Sequence, residues 1–131
     1  MTTNARDAAL VQLRDSVLFN PEIAGEDELF QGKVLRPILK FQNSIILMLV
    51  KQHLALHKVD MRQLPDTEKK NKLSEMIKND HQLRNILSGI VIGLMTEEEL
   101  ALFESRKATL SKRLRALLEE RVISQMQLLS E

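Results

Sequence analysis

Apolar side chains recur at intervals of three and four residues along most of the chain, which is the spacing of one face of an α-helix. Glycine and proline are few and fall mostly between these periodic stretches. The pattern predicts an all-α fold, a four- to five-helix bundle with a long C-terminal helix. The predicted helices lie near 4–19, 37–58, 66–79, 80–95 and 97–129, with a loop over 20–36 that contains a short helical turn near 26–31.

Two of these helices are the most apolar parts of the chain. The stretch over 37–58 is apolar on most sides, which is typical of a helix in the middle of a bundle. Within 80–95, the β-branched run between Gly89 and Gly93 also suits a strand, but no partner strand is predicted elsewhere and the helical spacing continues through it. We therefore expect these two helices to form the centre, with the C-terminal helix across them.

The C-terminal helix has the clearest start signal in the sequence. Thr96-Glu97-Glu98-Glu99 matches the capping box, and no glycine or proline follows before residue 129. One helix of about 30 residues is predicted, about 45 Å long at 1.5 Å per residue. A helix of this length would project beyond the bundle, and most soluble oligomers are symmetric homo-oligomers. We therefore predict a homodimer, whose interface includes Val122, Ile123, Met126 and Leu129.

Composition narrows the class of protein. The chain has 131 residues, the size of one domain, and no cysteine, which excludes disulfides, thiolate metal sites and cysteine nucleophiles. Residues 1–7 lack the layout of a signal peptide, and the longest apolar run, over 45–50, is far shorter than the roughly 20 residues that cross a membrane. We expect a single cytoplasmic domain with no membrane partner.

The charges are nearly balanced, with a net charge of +1. Five cations nevertheless lie between Ser105 and Leu118 with no acid among them, a basic patch that could engage phosphate, an acidic protein or RNA. Acids flank this patch, and four phenylalanines without tryptophan or tyrosine offer little for stacking on bases. We expect a solvated helix face and no nucleic-acid partner. The basic patch consists of Arg106, Lys107, Lys112, Arg113 and Arg115.

His53 and His57 lie four residues apart on a predicted helix, so their rings share one face and could chelate a divalent metal ion. Asp60, Asp80 or His81 would have to supply a third ligand. The residues between the two histidines are Leu-Ala-Leu, without the glutamate of a zinc-protease motif. The alternative, which we favour from sequence, is a pair of partly exposed histidines near a helix C-terminus, where positive charge is stabilising.

Three further features admit a structural and a functional interpretation. Gly89 and Gly93 each cost about 1 kcal/mol relative to alanine inside a helix, which indicates close packing of a neighbouring helix or a pocket. Asn79-Asp80-His81 could form an acid/base pair, but we favour a helix break capped by Asp80. Asn43 interrupts an apolar helix, where it would set register or line a polar cavity.

No phosphate-binding loop, dinucleotide fingerprint, calcium loop or nucleophile motif is present. The leading hypothesis is a small non-catalytic helical protein, without a cofactor, that acts by self-association and protein–protein interaction. One alternative is a nucleic-acid-binding module that uses the basic patch. The other is a metal- or small-ligand-binding helical bundle that uses His53 and His57.

Overall fold

A computed structural model describes residues 4–13 and 25–131, so the predictions for 14–19 and 20–24 lie outside the described residues. Within those two ranges the chain forms helices joined by short turns and contains no strand, which confirms the all-α class. A π-helical turn, Gln31–Leu35, joins the second helix to the third, and 3₁₀ turns form at Met61–Gln63 and Met126–Ser130. The α-helices are α1 (Ala5–Leu13), α2 (Glu26–Phe30), α3 (Arg36–Phe41), α4 (Asn43–Leu56), α5 (Asp66–Asn79), α6 (His81–Ile92), α7 (Glu97–Ser105) and α8 (Lys107–Ser124).

The helical turn predicted near 26–31 is present as α2, whereas the loop predicted for the residues after it is wrong, because 32–36 are also helical. Phe30, Val34 and Ile38 recur at four-residue intervals and are all buried, so a helical path places them together against the core. Pro37 lies in the first turn of α3, directly after the π-helical turn, where its missing N–H group is tolerated. Proline therefore does not end the helical path here.

The segment over 66–95 is two helices. α5 has the predicted bounds, Asp66–Asn79, and ends at Asp80. The same aspartate is the N-cap of α6, because its Oδ1 accepts the backbone N–H of Leu83 at 3.0 Å. α4 packs against α6, and α5 packs against both α6 and α8.

The C-terminal segment differs from the single helix predicted over 97–129. The capping box at Thr96 is present, but the backbone leaves helical geometry at Arg106, with φ −126° and ψ 37°, and the segment divides into α7 and α8. A 3₁₀ turn then folds the last residues back onto the bundle. Val122 and Leu129 are consequently buried in the chain's own core, and Ile123 and Met126 are half-buried against it. The four residues predicted as a dimer interface are used in intramolecular packing, because the bends keep the helix from projecting.

α1 is held against the turn between α6 and α7 by polar contacts. Arg6 donates hydrogen bonds to the backbone carbonyls of Gly93 at 2.7 Å and Met95 at 3.0 Å. The carboxylate of Asp7 is buried and accepts the backbone N–H of Glu97 at 3.3 Å, at the positive end of α7. These contacts join the N-terminal helix to the rest of the bundle.

Candidate metal centre

The two predicted histidines lie at the end of α4 with their rings adjacent. His53 is buried and His57, which follows the last residue of the helix, is exposed. The ring centroids are 4.3 Å apart and the ring planes are inclined by 47°. The four-residue spacing thus brings the two imidazoles together, as the sequence predicts for one helix face.

The backbone after His57 is conformationally strained. Lys58 has φ 56°, the left-handed region that non-glycine residues rarely adopt. This residue closes α4, because its own N–H bonds to the carbonyl of Ala55 and the next N–H, that of Val59, bonds to the carbonyl of Leu54 at 2.9 Å.

Asp80 completes a group of three metal-ligating side chains. Its Oδ2 lies 2.7 Å from Nε2 of His53, while its Oδ1 caps α6. One donor atom from each of His53, His57 and Asp80 lies within 4.8 Å of the other two. The site therefore joins the C-terminal end of α4 to the break between α5 and α6.

The electrostatic environment keeps Asp80 ionised. The backbone N–H of Leu83 lowers the pKa of the Asp80 carboxyl below its ordinary value of 3.8, and the hydrogen bond and the charge of His53 act in the same direction. Partial burial opposes this shift without reversing it. At neutral pH the carboxylate is in the anionic form that a metal ion requires.

A cavity of about 380 Å³ opens beside the three ligands. Four residues on one face of α5 line it, at successive spacings of three, one and three residues, and Val59 lines it as well. These residues were not predicted from the sequence, although their helical spacing before Asp80 could have indicated them. The α5 residues are Lys72, Glu75, Met76 and Asn79.

The other predicted third ligands have different partners. The carboxylate of Asp60 contacts the guanidinium of Arg62 at 3.1 Å. Nδ1 of His81 accepts a hydrogen bond from Arg84 at 2.7 Å. The acid/base pair predicted from Asp80 and His81 does not match this geometry, because the Asp80 carboxylate faces His53.

Much of the basic patch is paired within the chain. Arg106 contacts the carboxylates of Glu26 at 3.1 Å and Asp27 at 2.8 Å. Lys107 lies 3.7 Å from Glu104, and Arg113 donates to the side-chain oxygen of Gln31 at 3.1 Å. Lys112 and Arg115 lie on the same helix, with Lys112 exposed and Arg115 half-buried.

The glycine pair on α6 does not mediate close packing among the described residues. Gly89 is exposed, and a Cβ atom built on it would meet no described neighbour within 4 Å. Gly93 ends α6, and its added Cβ would lie 3.3 Å from the carbonyl oxygen of Gly89 in the same helix. Gly93 therefore ends the helix and accepts the hydrogen bond from Arg6, and no described helix packs closely against it.

Comparisons with protein-family models, with curated proteins and with solved structures give no match. Among the described helices, none combines the length and apolarity needed to span a bilayer. Fold alone does not determine function, whereas the geometry of a site limits the chemistry that it can support.

Proposed function

We propose that this chain is a cytoplasmic helical protein that binds a divalent first-row transition-metal ion through His53, His57 and Asp80. The observation that carries the proposal is the convergence of two imidazoles and one carboxylate within 4.8 Å. This ligand set suits Zn²⁺, Fe²⁺ or Co²⁺, whereas Mg²⁺ and Ca²⁺ prefer oxygen ligands alone.

The distances between the ligand atoms of His53, His57 and Asp80 would allow a metal ion to bind after small side-chain movements. Ligand atoms about 2.0 Å from a tetrahedral ion are roughly 3.3 Å from one another. His53 and Asp80 are closer than this, at 2.7 Å, because a hydrogen occupies the space between Nε2 and Oδ2. An ion would replace that hydrogen, and the exposed ring of His57 would move towards it.

Three protein ligands leave at least one coordination position for water or another small molecule. The adjacent cavity supplies the space for that ligand. Glu75 and Asn79 line the cavity and offer oxygen atoms to a bound water, and Lys72 favours an anionic ligand over a cationic one. The arrangement supports an open site rather than a closed structural one.

Calorimetric titration of the chelator-treated protein with Zn²⁺ tests the proposal. We expect one ion per chain in the wild type and an affinity at least about a hundredfold lower in His57→Ala and Asp80→Asn, since each removes a ligand. Asparagine retains the N-cap of α6, and His57 is exposed, so both variants should stay folded.

His81→Ala is the matched control, because it removes the neighbouring imidazole that bonds to Arg84 instead. Its Zn²⁺ affinity should equal that of the wild type. Wild-type affinity in both His57→Ala and Asp80→Asn, or equal losses in all three variants, would contradict the site.

Self-association is a second candidate function, supported by an exposed apolar strip. Phe41, Ile45 and Met48 lie at spacings of four and three residues, with exposed fractions of 48%, 42% and 56%. Ile86, on the neighbouring helix α6, is also exposed. Exposed apolar residues that form a continuous strip are typical of interaction surfaces. We propose this strip, in place of the C-terminal residues, as the interface of a homodimer.

Sedimentation equilibrium at tens of micromolar tests the dimer. The wild type should sediment as a dimer and Met48→Glu as a monomer, because the variant places a charge in the strip. Leu128→Glu, at a residue that is 48% exposed outside the strip, should remain dimeric. A monomeric wild type, or a dimer that persists in Met48→Glu, would rule out this interface.

A further inference from the structure

Two arginines face one another across a small cavity on another side of the molecule. Arg36 begins α3, and Arg121 lies in the last turn of α8. The cavity between them has a volume of about 220 Å³, and Ser124 and Gln125 supply further polar groups to its wall. The fold thus brings two guanidinium groups together from segments that are far apart in the sequence.

Neither of these two cations forms an ion pair with a described carboxylate. Within residues 4–13 and 25–131, no carboxylate lies within ion-pairing distance of Arg36 or Arg121. Burial lowers the pKa of Arg121, and the positive charge of Arg36 lowers it further, while Glu120 opposes the shift. The repulsion between the guanidinium groups would be relieved by an anion placed between them.

Arg121 is held in place by a network of side-chain amides. Its Nη1 donates to Oδ1 of Asn43 at 3.2 Å. Asn43 and Gln125 in turn exchange two hydrogen bonds, each 2.8 Å long. A guanidinium fixed in this way has already lost much of its rotational freedom, which lowers the entropic cost of binding a ligand.

We propose that this cavity binds a dianionic oxyanion, either inorganic phosphate or a small phosphate monoester, between Arg36 and Arg121. The two positive charges match the charge of a phosphate dianion, and the planar donor fork of arginine matches its oxygen atoms. The hydroxyl of Ser124 and the side-chain amide of Gln125 already donate to the backbone carbonyl of Arg121, at 2.8 and 3.1 Å, so the two guanidinium groups supply the donors to the anion. The small volume favours a ligand of this size over a nucleotide.

Glu120 sets the strength of the site, because it lines the same cavity and carries a negative charge. Its carboxylate would repel a bound phosphate. Glu120→Gln should therefore bind phosphate several-fold more tightly than the wild type. This gain of binding distinguishes the proposal from a purely structural role of the arginines.

Titration with sodium phosphate at constant ionic strength tests the proposal. Binding is monitored through the NMR signals of backbone amides and arginine Nε–H groups. We expect saturable shifts at Arg36, Arg121 and Ser124, and affinity at least about tenfold lower in Arg36→Gln, because a charged hydrogen bond is lost. Arg36 is exposed, so this variant should fold normally even if Arg121→Gln does not. Arg115→Gln, the same change on another face of α8, should bind as the wild type does.

Two further ligands distinguish the sources of the anion. Tighter binding of a small phosphate monoester, such as phosphoethanolamine, than of inorganic phosphate would identify a monoester as the ligand, whereas equal or weaker binding would identify phosphate itself. Acetate, a monoanion, should bind at least about tenfold more weakly. Shifts that do not saturate, or that are unchanged in Arg36→Gln, would overturn the proposal.

Discussion

Asp80 Oδ2 lies 2.7 Å from His53 Nε2, although the two residues are 27 positions apart in the sequence. The other oxygen of the same carboxylate caps α6 through the N–H of Leu83. One side chain therefore connects the end of α4 with the junction of α5 and α6. This dual use makes Asp80 important for folding as well as for the proposed metal ion, and variants can separate the two roles.

Replacing Asp80 with alanine should destabilise the metal-free protein by about 2 kcal/mol. The variant loses the N-cap and leaves a ring nitrogen of the buried His53 without its carboxylate partner. Asp80→Asn keeps the cap and should lose less than half as much free energy of unfolding. Urea denaturation of both variants measures this, and equal losses would show that the cap contributes little.

The stability of the protein should fall in acid partly because of Asp80. Its pKa lies below the ordinary value of 3.8 in the folded state, chiefly because of the Leu83 N–H, so folding favours the charged carboxylate. The stabilisation is present above about pH 5 and is lost as the pH falls through the folded-state pKa. The advantage of the wild type over Asp80→Asn should therefore shrink between about pH 5 and pH 3. Urea midpoints that change in parallel in the two proteins would contradict this assignment.

The last 3₁₀ turn provides a test of the intramolecular packing of the C-terminus. Leu129 is 6% exposed and its neighbour Leu128 is 48% exposed. Leu129→Ala should lower the free energy of unfolding by about 2 kcal/mol or more, and Leu128→Ala by less than about 0.5 kcal/mol. Neither should alter the oligomeric state. A loss of dimer in Leu129→Ala without loss of stability would restore the interface predicted from the sequence.

The capping box at the start of α7 should be worth about 1 kcal/mol. The hydroxyl of Thr96 accepts the N–H of Glu99 at 3.1 Å, and the Glu99 carboxylate accepts the N–H of Thr96 at 2.9 Å. Thr96→Ala should lower the thermal midpoint accordingly. Thr109→Ala, at an exposed position inside α8, should leave it unchanged or raise it slightly, since alanine is the better helix former. The same midpoint in both variants would mean that the cap adds nothing.

Local signals in the sequence were sufficient to predict where several helices begin or end. Pro65-Asp66 and Asn79-Asp80 mark both ends of α5, and Thr96 and Glu99 mark the start of α7. These signals operate within a few residues, because a cap or a break is made by side chains next to the helix end. The all-α class follows from the same local periodicity.

The break between α7 and α8 had no local signal, since neither glycine nor proline occurs there. Arg106 contacts Glu26 and Asp27, about 80 positions earlier in the sequence, and these contacts hold it where the helix bends. Phe103, just before the bend, lies with its ring centroid 6.1 Å from that of Phe30. Tertiary contacts override helix propensity here, which local periodicity does not reveal.

The candidate metal centre was predictable only in part, because local spacing positions two of its ligands and tertiary packing positions the third. The spacing of His53 and His57 within one helix placed their rings together. Asp80 was one of three acceptable third ligands, and choosing it required knowledge of how α4 packs against α6. The pair Arg36 and Arg121 had no sequence signal, because it depends on contacts between α8 and a segment predicted to be a loop.

Anomalous diffraction at the zinc absorption edge, from crystals grown with Zn²⁺, would show whether His53, His57 and Asp80 bind a metal ion. We expect one strong peak, with the ion about 2.0–2.2 Å from a ring nitrogen of His53, a ring nitrogen of His57 and a carboxylate oxygen of Asp80. No peak at these residues at saturating Zn²⁺, or a peak held by other side chains alone, would contradict the proposed site.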